Sequence, residues 1–204
     1  MDYKTIANDG IVEEEIKKSR FICHLKRISR EEEGREYIAQ IKKQHHKANH
    51  SCSAMIVGDD GQIKRSSDDG EPSGTAGVPM LTVLEKQGLT NVVAVVTRYF
   101  GGIKLGTGGL VRAYSSSISQ ALKVATLTTV TTLQEYQIHF SYDLIGKIDH
   151  YFRTQNIEVI EQQYEEDVVY HFLVQEDISK DLMELTNGKI KIQYIQDIET
   201  ECVI

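Results

Sequence analysis

The chemistry-bearing residues concentrate first between Arg98 and Arg112, in the run RYFGGIKLGTGGLVR. Gly101, Gly102, Gly106, Gly108 and Gly109 fall within nine positions, between a β-branched run and a strongly periodic helical pattern. Glycines at this density let main-chain amides crowd around an anion, and a helix that starts here adds about half a positive charge. Arg98, Lys104 and Arg112 supply full charges, and Tyr99 or Phe100 can stack on a base or pack beneath the loop. Neither standard nucleotide motif is present. No Lys follows the glycine pair as in G-x-x-x-x-G-K-[ST], and Val111 holds the third glycine position of G-x-G-x-x-G. The competing reading is a tight crossover whose glycines only permit close packing of helix on strand.

A second segment, Ser67 to Pro79, holds Asp68, Asp69 and Glu71 within four positions, with Ser73 and Thr75 downstream. Oxygen ligands of this kind suit Mg²⁺, and the hydroxyls suit phosphate, although EF-hand spacing is missing. The same residues also make an ordinary solvated turn, with Asp, Ser and Gly capping neighbouring backbone. Third, His45, His46, His50 and Cys52 are close enough for zinc or a Cys/His pair. One local cluster lacks the second pair of ligands of a structural zinc site, and a helix end followed by a buried strand cysteine accounts for it equally. Fourth, Lys17, Lys18 and Arg20 precede Phe21, a pairing suited to phosphate and base, but Glu13 to Glu15 stand just upstream and can neutralise them.

The elements that must position these groups follow from periodicity. Strands are predicted at Tyr3 to Ala7, Ile11 to Ile16 and Arg20 to Ile28, with a hairpin turn at Asn8-Asp9-Gly10. Ser29 to Glu32 has capping-box spacing and opens a helix to about Gln44. A second hairpin joins Ser51 to Val57 with Gln62 to Ser66, and a short helix is predicted at Pro79 to Lys86. From Leu110 to Ala125 apolar residues recur on one helical face, directly after the run Asn91 to Thr97. Beyond Glu135 the alternation of Tyr136, Ile138 and Phe140 begins a βαββαβ pattern. It continues with a helix opened by Asp143, strands at Ile157 to Gln162 and Val168 to Val174, a helix capped by Asp177 and ended by Gly188, and a last strand from Ile190. The fold class expected is α+β.

Charge divides the chain in the same place. Residues 1–134 carry 18 Lys+Arg and 15 Asp+Glu, net +3, whereas residues 135–204 carry 5 and 15, net −10. The shift predicts a boundary at 126–134, near the Thr-rich TLTTVTT, which also reads as an edge strand. The longest aliphatic run, Val92 to Val96, is far short of the roughly 20 apolar residues of a membrane span. The start MDYKTIANDG has neither a basic nor an apolar leader region, and Cys23, Cys52 and Cys202 form no disulfide pattern. A cytoplasmic location without membrane contact is expected.

The segments DDGEPSGTAGVPML and VTRYFGGIKLGTGGLVRAY, with KSRFI and ANHSCSA, resemble the IMPACT/YigZ family over residues 1 to about 125, in the same order. Asn49 stands before His50 where that family's pattern has a small hydroxyl residue. The resemblance implies a ribosomal-protein-S5 domain-2-like domain at 1–130 and a small acidic ferredoxin-like domain at 135–204, together similar to the last two domains of elongation factor G. It further implies a link to translation: eukaryotic members regulate an initiation-factor kinase by competing for its activator, and bacterial members are suspected nucleic-acid or ribosome binders. No settled catalytic residue set accompanies it. The expectation is a binding protein for RNA, ribosome or a translation partner, needing no cofactor or metal. It would use Arg98, Tyr99, Phe100, Gly101, Gly102, Lys104, Gly106, Gly108, Gly109 and Arg112, with Arg20, His50, Asp68, Asp69, Glu71, Ser73 and Thr75 as cleft partners. The alternative is a Mg²⁺-dependent phosphate- or nucleotide-handling enzyme using the acidic loop and His50.

Overall fold

The computed structural model describes residues 2–204. Its elements are β1 (Tyr3–Ile6), β2 (Gly10–Ile16), β3 (Ser19–Arg27), α1 (Glu31–Gln44), β4 (His50–Val57), β5 (Ile63–Ser67), α2 (Gly77–Lys86), β6 (Val92–Tyr99), α3 (Thr107–Val124), β7 (Leu127–Phe140), a 3-10 turn at Tyr142–Leu144, α4 (Ile145–Gln155), β8 (Glu158–Tyr164), β9 (Val168–Val174), α5 (Ser179–Leu185) and β10 (Lys191–Val203). Two compact units result: residues up to Val130 with Glu201–Ile204, and Thr131–Thr200. The last four residues join the first unit because the Ile204 amide donates to the Leu127 carbonyl and Thr128 Oγ1 donates to the Cys202 carbonyl, both at 3.0 Å.

The first unit is built on an antiparallel sheet in the order β2-β3-β6-β4-β5. Its middle strand β6 is covered on both faces, so Val92 to Val96 reads as an unbroken apolar run and not as an alternation. Val92, Ala94 and Val96 pack with Met80 and Leu84 of α2 and Leu110, Tyr114 and Ile118 of α3. Val93 and Val95 pack on the opposite face with Ile38 and Ile41 of α1. Period two then dictates that Arg98 turns toward α3 and Tyr99 toward α1. The helical stripe of Leu110, Ala113, Tyr114, Ser117, Ile118, Ala121 and Leu122 is buried as its spacing predicts. Each large apolar side chain so buried contributes about 1.5–3 kcal/mol.

Two local expectations are corrected. Asn8-Asp9-Gly10 does not close a hairpin: β1 pairs with β7, from Tyr3↔Val130 to Ile6↔Leu127, while β2 pairs with β3. The positive-φ turn is Lys17 (48°) and Lys18 (63°) instead. Turn chemistry permits a reversal but does not choose the partner strand, and the buried Thr5 and Ile6 of β1 find theirs in β7. At α1 the capping residue is Arg30 with no side-chain bond, and the carboxylate reaching back to the Ser29 amide, at 2.8 Å, is that of Glu33 and not Glu32.

In the second unit β7 is flanked by β9 and β10, with β8 outside β9, giving the order β10-β7-β9-β8. This order, with α4 and α5 as the two crossovers, is the ferredoxin-like arrangement. Tyr136, Ile138, Phe140, Val168, Tyr170, Phe172 and Val174 alternate into one core against Ile148 and Phe152 of α4 and Leu182 of α5. Gly188, at φ 72°, ends α5 by donating its amide to the Met183 carbonyl. Among the described residues no helix is long and apolar enough to cross a membrane.

Candidate functional site

The expected site residues gather at one end of the first unit's sheet: the start of β3, the start of β4, the end of β6 and the loop after β5. Register places His50 opposite Arg98 and Arg20 opposite Tyr99. Paired residues share a face, so these two pairs lie on opposite sides of the sheet.

On the α3 side Glu71 is the hub. Its Oε1 accepts from Arg98 Nη1 at 2.8 Å and from the Tyr114 hydroxyl at 2.7 Å, while Oε2 stands 3.8 Å from His50 Nε2. The side chains of Arg98 and Glu71 are only 7% and 3% exposed, so the pair is desolvated and each partner depends on the other. Arg98 therefore lines the cleft without being the free phosphate cation expected of it. Its Nε finds no partner, and its guanidinium lies between the rings of Phe21 and Phe100, 5.6 and 5.5 Å from their centres. Burial first, and then Cys52 and Glu71, push the Tyr114 phenol far above its usual range, so it stays a donor to Glu71. His50 Nδ1 is bound to the Asp69 carbonyl at 2.9 Å, which fixes the ring.

This hub floors a cleft of about 480 Å³ that also includes Phe100, Lys104, Gly106 and Thr107. Phe100 is 46% exposed and Lys104 is open to solvent. The Gly-rich run from Gly101 to Gly106 forms no regular structure before α3. Gly102 and Gly106 have φ of 87° and 76°, and a Cβ at either would meet open space, so the backbone conformation requires glycine while the surface stays clear. The Phe100 amide is held by Asn49 Oδ1 at 2.8 Å and the Gly101 amide by Ser19 Oγ at 3.2 Å. From Gly102 through Gly109, among the described residues, no main-chain amide donates to a protein acceptor, and no side chain caps α3. The amides of Thr107, Gly108 and Gly109, in the first turn of α3, carry the partial positive charge of the helix terminus. Arg112 lies beyond, in a second recess of about 270 Å³ with Lys17, Leu105 and Gly109.

The other expected partners lie at the same end of the sheet but do not line this cleft. Tyr99 points to the α1 face, where its hydroxyl meets His45 Nδ1 at 2.9 Å, and Arg20 lies over its ring while pairing with Glu13 at 2.8 Å. Asp68 caps its own loop, accepting from the amides of Gly74, Ala76 and Gly77 at 2.8, 3.0 and 2.9 Å. Burial alone would raise its pKa, but those amides outweigh it and hold the carboxyl below its usual range. Asp69 accepts from the Ser51 amide at 2.6 Å and from Lys42 at 2.5 Å. Thr75 Oγ1 donates to the Pro72 carbonyl, and Ser73 is exposed on the same loop. With both aspartates spent on the loop and its neighbours, the reading of this segment as a Mg²⁺ ligand set is withdrawn. Among the described residues no three His, Cys, Asp or Glu side chains are grouped as metal ligands. The zinc and thiol readings fall likewise: His46 is exposed, while Cys52 is buried, donates to the Asp68 carbonyl and has its pKa pushed up to about 12, chiefly by burial.

Three contributors escaped sequence reasoning. Tyr114 was visible only as a member of a buried stripe, although a buried phenol always needs a polar partner. Ser19 and Asn49, which hold the two amides at the mouth of the loop, carry no spacing signal at all.

Comparison with known proteins bears on both units. The Impact N-terminal domain matches residues 17–122, and a domain of unknown function, DUF1949, matches residues 138–189. The chain is 46% identical over 195 residues to the IMPACT family member YvyE of Bacillus subtilis, covering 94% of this chain and 90% of that protein. It is 36% identical over 192 residues to the IMPACT family member YigZ of Escherichia coli, covering 91% and 94%. A crystal structure described as that of a hypothetical protein superposes with a TM-score of 0.63 at 35% identity, over 96% of this chain and 98% of the other. With its glycine loop and its acidic segment both inside the matched region, the chain belongs to the IMPACT family.

Proposed function

We propose that the chain binds single-stranded RNA through the cleft at the N-terminus of α3, as a translation-associated binding protein of the kind the family resemblance implies. The observation that carries this reading is the run of unbonded main-chain amides from Gly102 to Gly109 beside Lys104. Such a run is matched by phosphate oxygens, which accept from several amides at once and gain from the helix dipole. Exposed Phe100 offers a stacking surface for a base next to that phosphate. Arg112, Lys17 and Lys18, all exposed, continue the positive track past the loop. The −10 charge of residues 135–204 disfavours phosphate there, which supports an RNA contact on the first unit.

Filter retention of a short unstructured RNA across a salt series tests the reading. Contact with about three phosphates predicts a log–log slope near −2 for a single strand. Lys104→Glu should weaken retention and make the slope shallower by about 0.7. Absence of retention at low salt, or retention indifferent to salt, overturns it.

A further inference from the structure

We infer that the same cleft cleaves the RNA it holds, by metal-independent transesterification through a ribose 2′-hydroxyl with His50 as general base. The inference rests on the RNA-binding reading and adds a chemical step to it.

The resting geometry of His50 and Glu71 is unusual for two groups with purely structural duties. A buried carboxylate whose only task was to neutralise Arg98 would turn both oxygens to donors. Glu71 instead receives two donors on Oε1 and leaves Oε2 facing the cleft and His50 Nε2, 3.8 Å away, too long for a hydrogen bond. Arg98 and Tyr114 fix the carboxylate from behind, both of them buried. The Asp69 carbonyl can only accept, so His50 Nδ1 carries the hydrogen and donates it there. That tautomer puts the lone pair on Nε2, the nitrogen that faces the cleft. A ring oriented through Nδ1 leaves Nε2 available to take a proton, with the Glu71 carboxylate 3.8 Å away. The carboxylate stabilises the imidazolium once it forms.

The ligand's position supplies the remaining parts. A phosphate on the α3 amides would sit in the cleft that His50 lines, and the amides would stabilise the charge that builds on its non-bridging oxygens. Nε2 removes the proton of the 2′-hydroxyl as that oxygen bonds to phosphorus. The bond from phosphorus to the 5′-oxygen breaks, and the leaving oxygen takes a proton from water in the open cleft. The proton on His50 then returns to water. The products are a 2′,3′-cyclic phosphate and a 5′-hydroxyl, with no change in oxidation state and no metal.

The test uses the full chain with a short unstructured RNA in EDTA, read on a denaturing gel with analysis of the new ends, beside filter retention of the same RNA. Expected are 2′,3′-cyclic phosphate and 5′-hydroxyl ends, no cleavage of a matching oligonucleotide that is 2′-deoxy throughout, and a loss of about a hundredfold or more in rate with His50→Ala. Glu71→Gln should also slow cleavage. His50 lies at the cleft surface and outside the hydrophobic core, so the His50 variant keeps the test valid if the Glu71 variant fails to fold. RNA retained but uncut overturns the catalytic step and leaves the binding reading standing. RNA neither retained nor cut overturns both. Cleavage that needs Mg²⁺, leaves 5′-phosphate ends or survives His50→Ala overturns the catalytic assignment.

Discussion

Gly101 lies flush against the carbonyl of Lys18, so close that a methyl group on its Cα would fall 1.8 Å from that oxygen. The contact is backbone on backbone, joining the mouth of the glycine loop to the β2–β3 turn, and the Gly101 amide adds a bond to Ser19 Oγ. No flexible side chain can yield there. Gly101→Ala must displace the turn or the loop, at a cost of about 1–3 kcal/mol. Thermal unfolding should show a fall of several degrees, and RNA retention should weaken with it. An unchanged melting temperature would contradict the packing described.

Arg98 was expected to meet phosphate and instead neutralises Glu71, which changes what its loss should do. Arg98→Ala leaves a carboxylate buried without its partner, a defect worth about 3–5 kcal/mol, where losing a surface phosphate contact would cost stability almost nothing. Urea denaturation should register that loss. Joint replacement by Arg98→Met and Glu71→Leu should recover most of it, since no buried charge is then left alone. A single-variant cost below about 1 kcal/mol would mean the pair is solvated.

These two residues also mark how far the sequence could be read. The strand that delivers Arg98 was evident from Val92 to Val96, and the helix beyond it from the stripe Leu110 to Leu122, because both signals are local and periodic. The βαββαβ order after Glu135 was legible for the same reason. What Arg98 meets was not legible, because Glu71 arrives from a loop 27 residues away and only the fold brings them together. Asp68 and Asp69 misled in the opposite sense: clustered carboxylates suggest cations, yet the oxygens of Asp68 satisfy loop amides and Asp69 satisfies the Ser51 amide of β4, which a one-dimensional reading cannot count. The turn at Lys17-Lys18 was missed because lysine gives no sign of a positive φ, whereas Asn8-Asp9-Gly10 gives every sign and adopts none.

That lysine turn is itself open to test. Two consecutive left-handed non-glycine residues cost about 1–2 kcal/mol each relative to a sequence suited to the turn. Lys17→Asn with Lys18→Gly supplies the preferred residues of a two-residue hairpin and should raise stability by about 1–2 kcal/mol overall. The strain persists at the edge of the proposed RNA track, so the same variant should bind RNA less well, with a salt slope shallower by about 1.4. A gain in stability with undiminished retention would remove these lysines from the track.

Acid should act on the opposite face of the sheet. His24 is 2% exposed, neither of its ring nitrogens has a partner, and its ring lies 5.2 Å from that of His45. Burial first, and then repulsion from His45, lower its pKa from 6.5 to about 4. His45 is lowered as well, by burial and by Arg20, against an opposing pull from Glu13. Between pH 6.5 and 4 the unfolded chain takes up a proton on His24 that the folded chain refuses. Stability is therefore fully present above pH 6.5 and falls as pH drops through this window, by about 3 kcal/mol at its lower end. His24→Leu should flatten that slope without loss of stability at pH 7.5, because it removes two orphaned ring nitrogens along with the titration. Urea midpoints of both proteins at pH 7.5 and 5 decide the matter. Profiles that stay parallel would assign the acid sensitivity to another group.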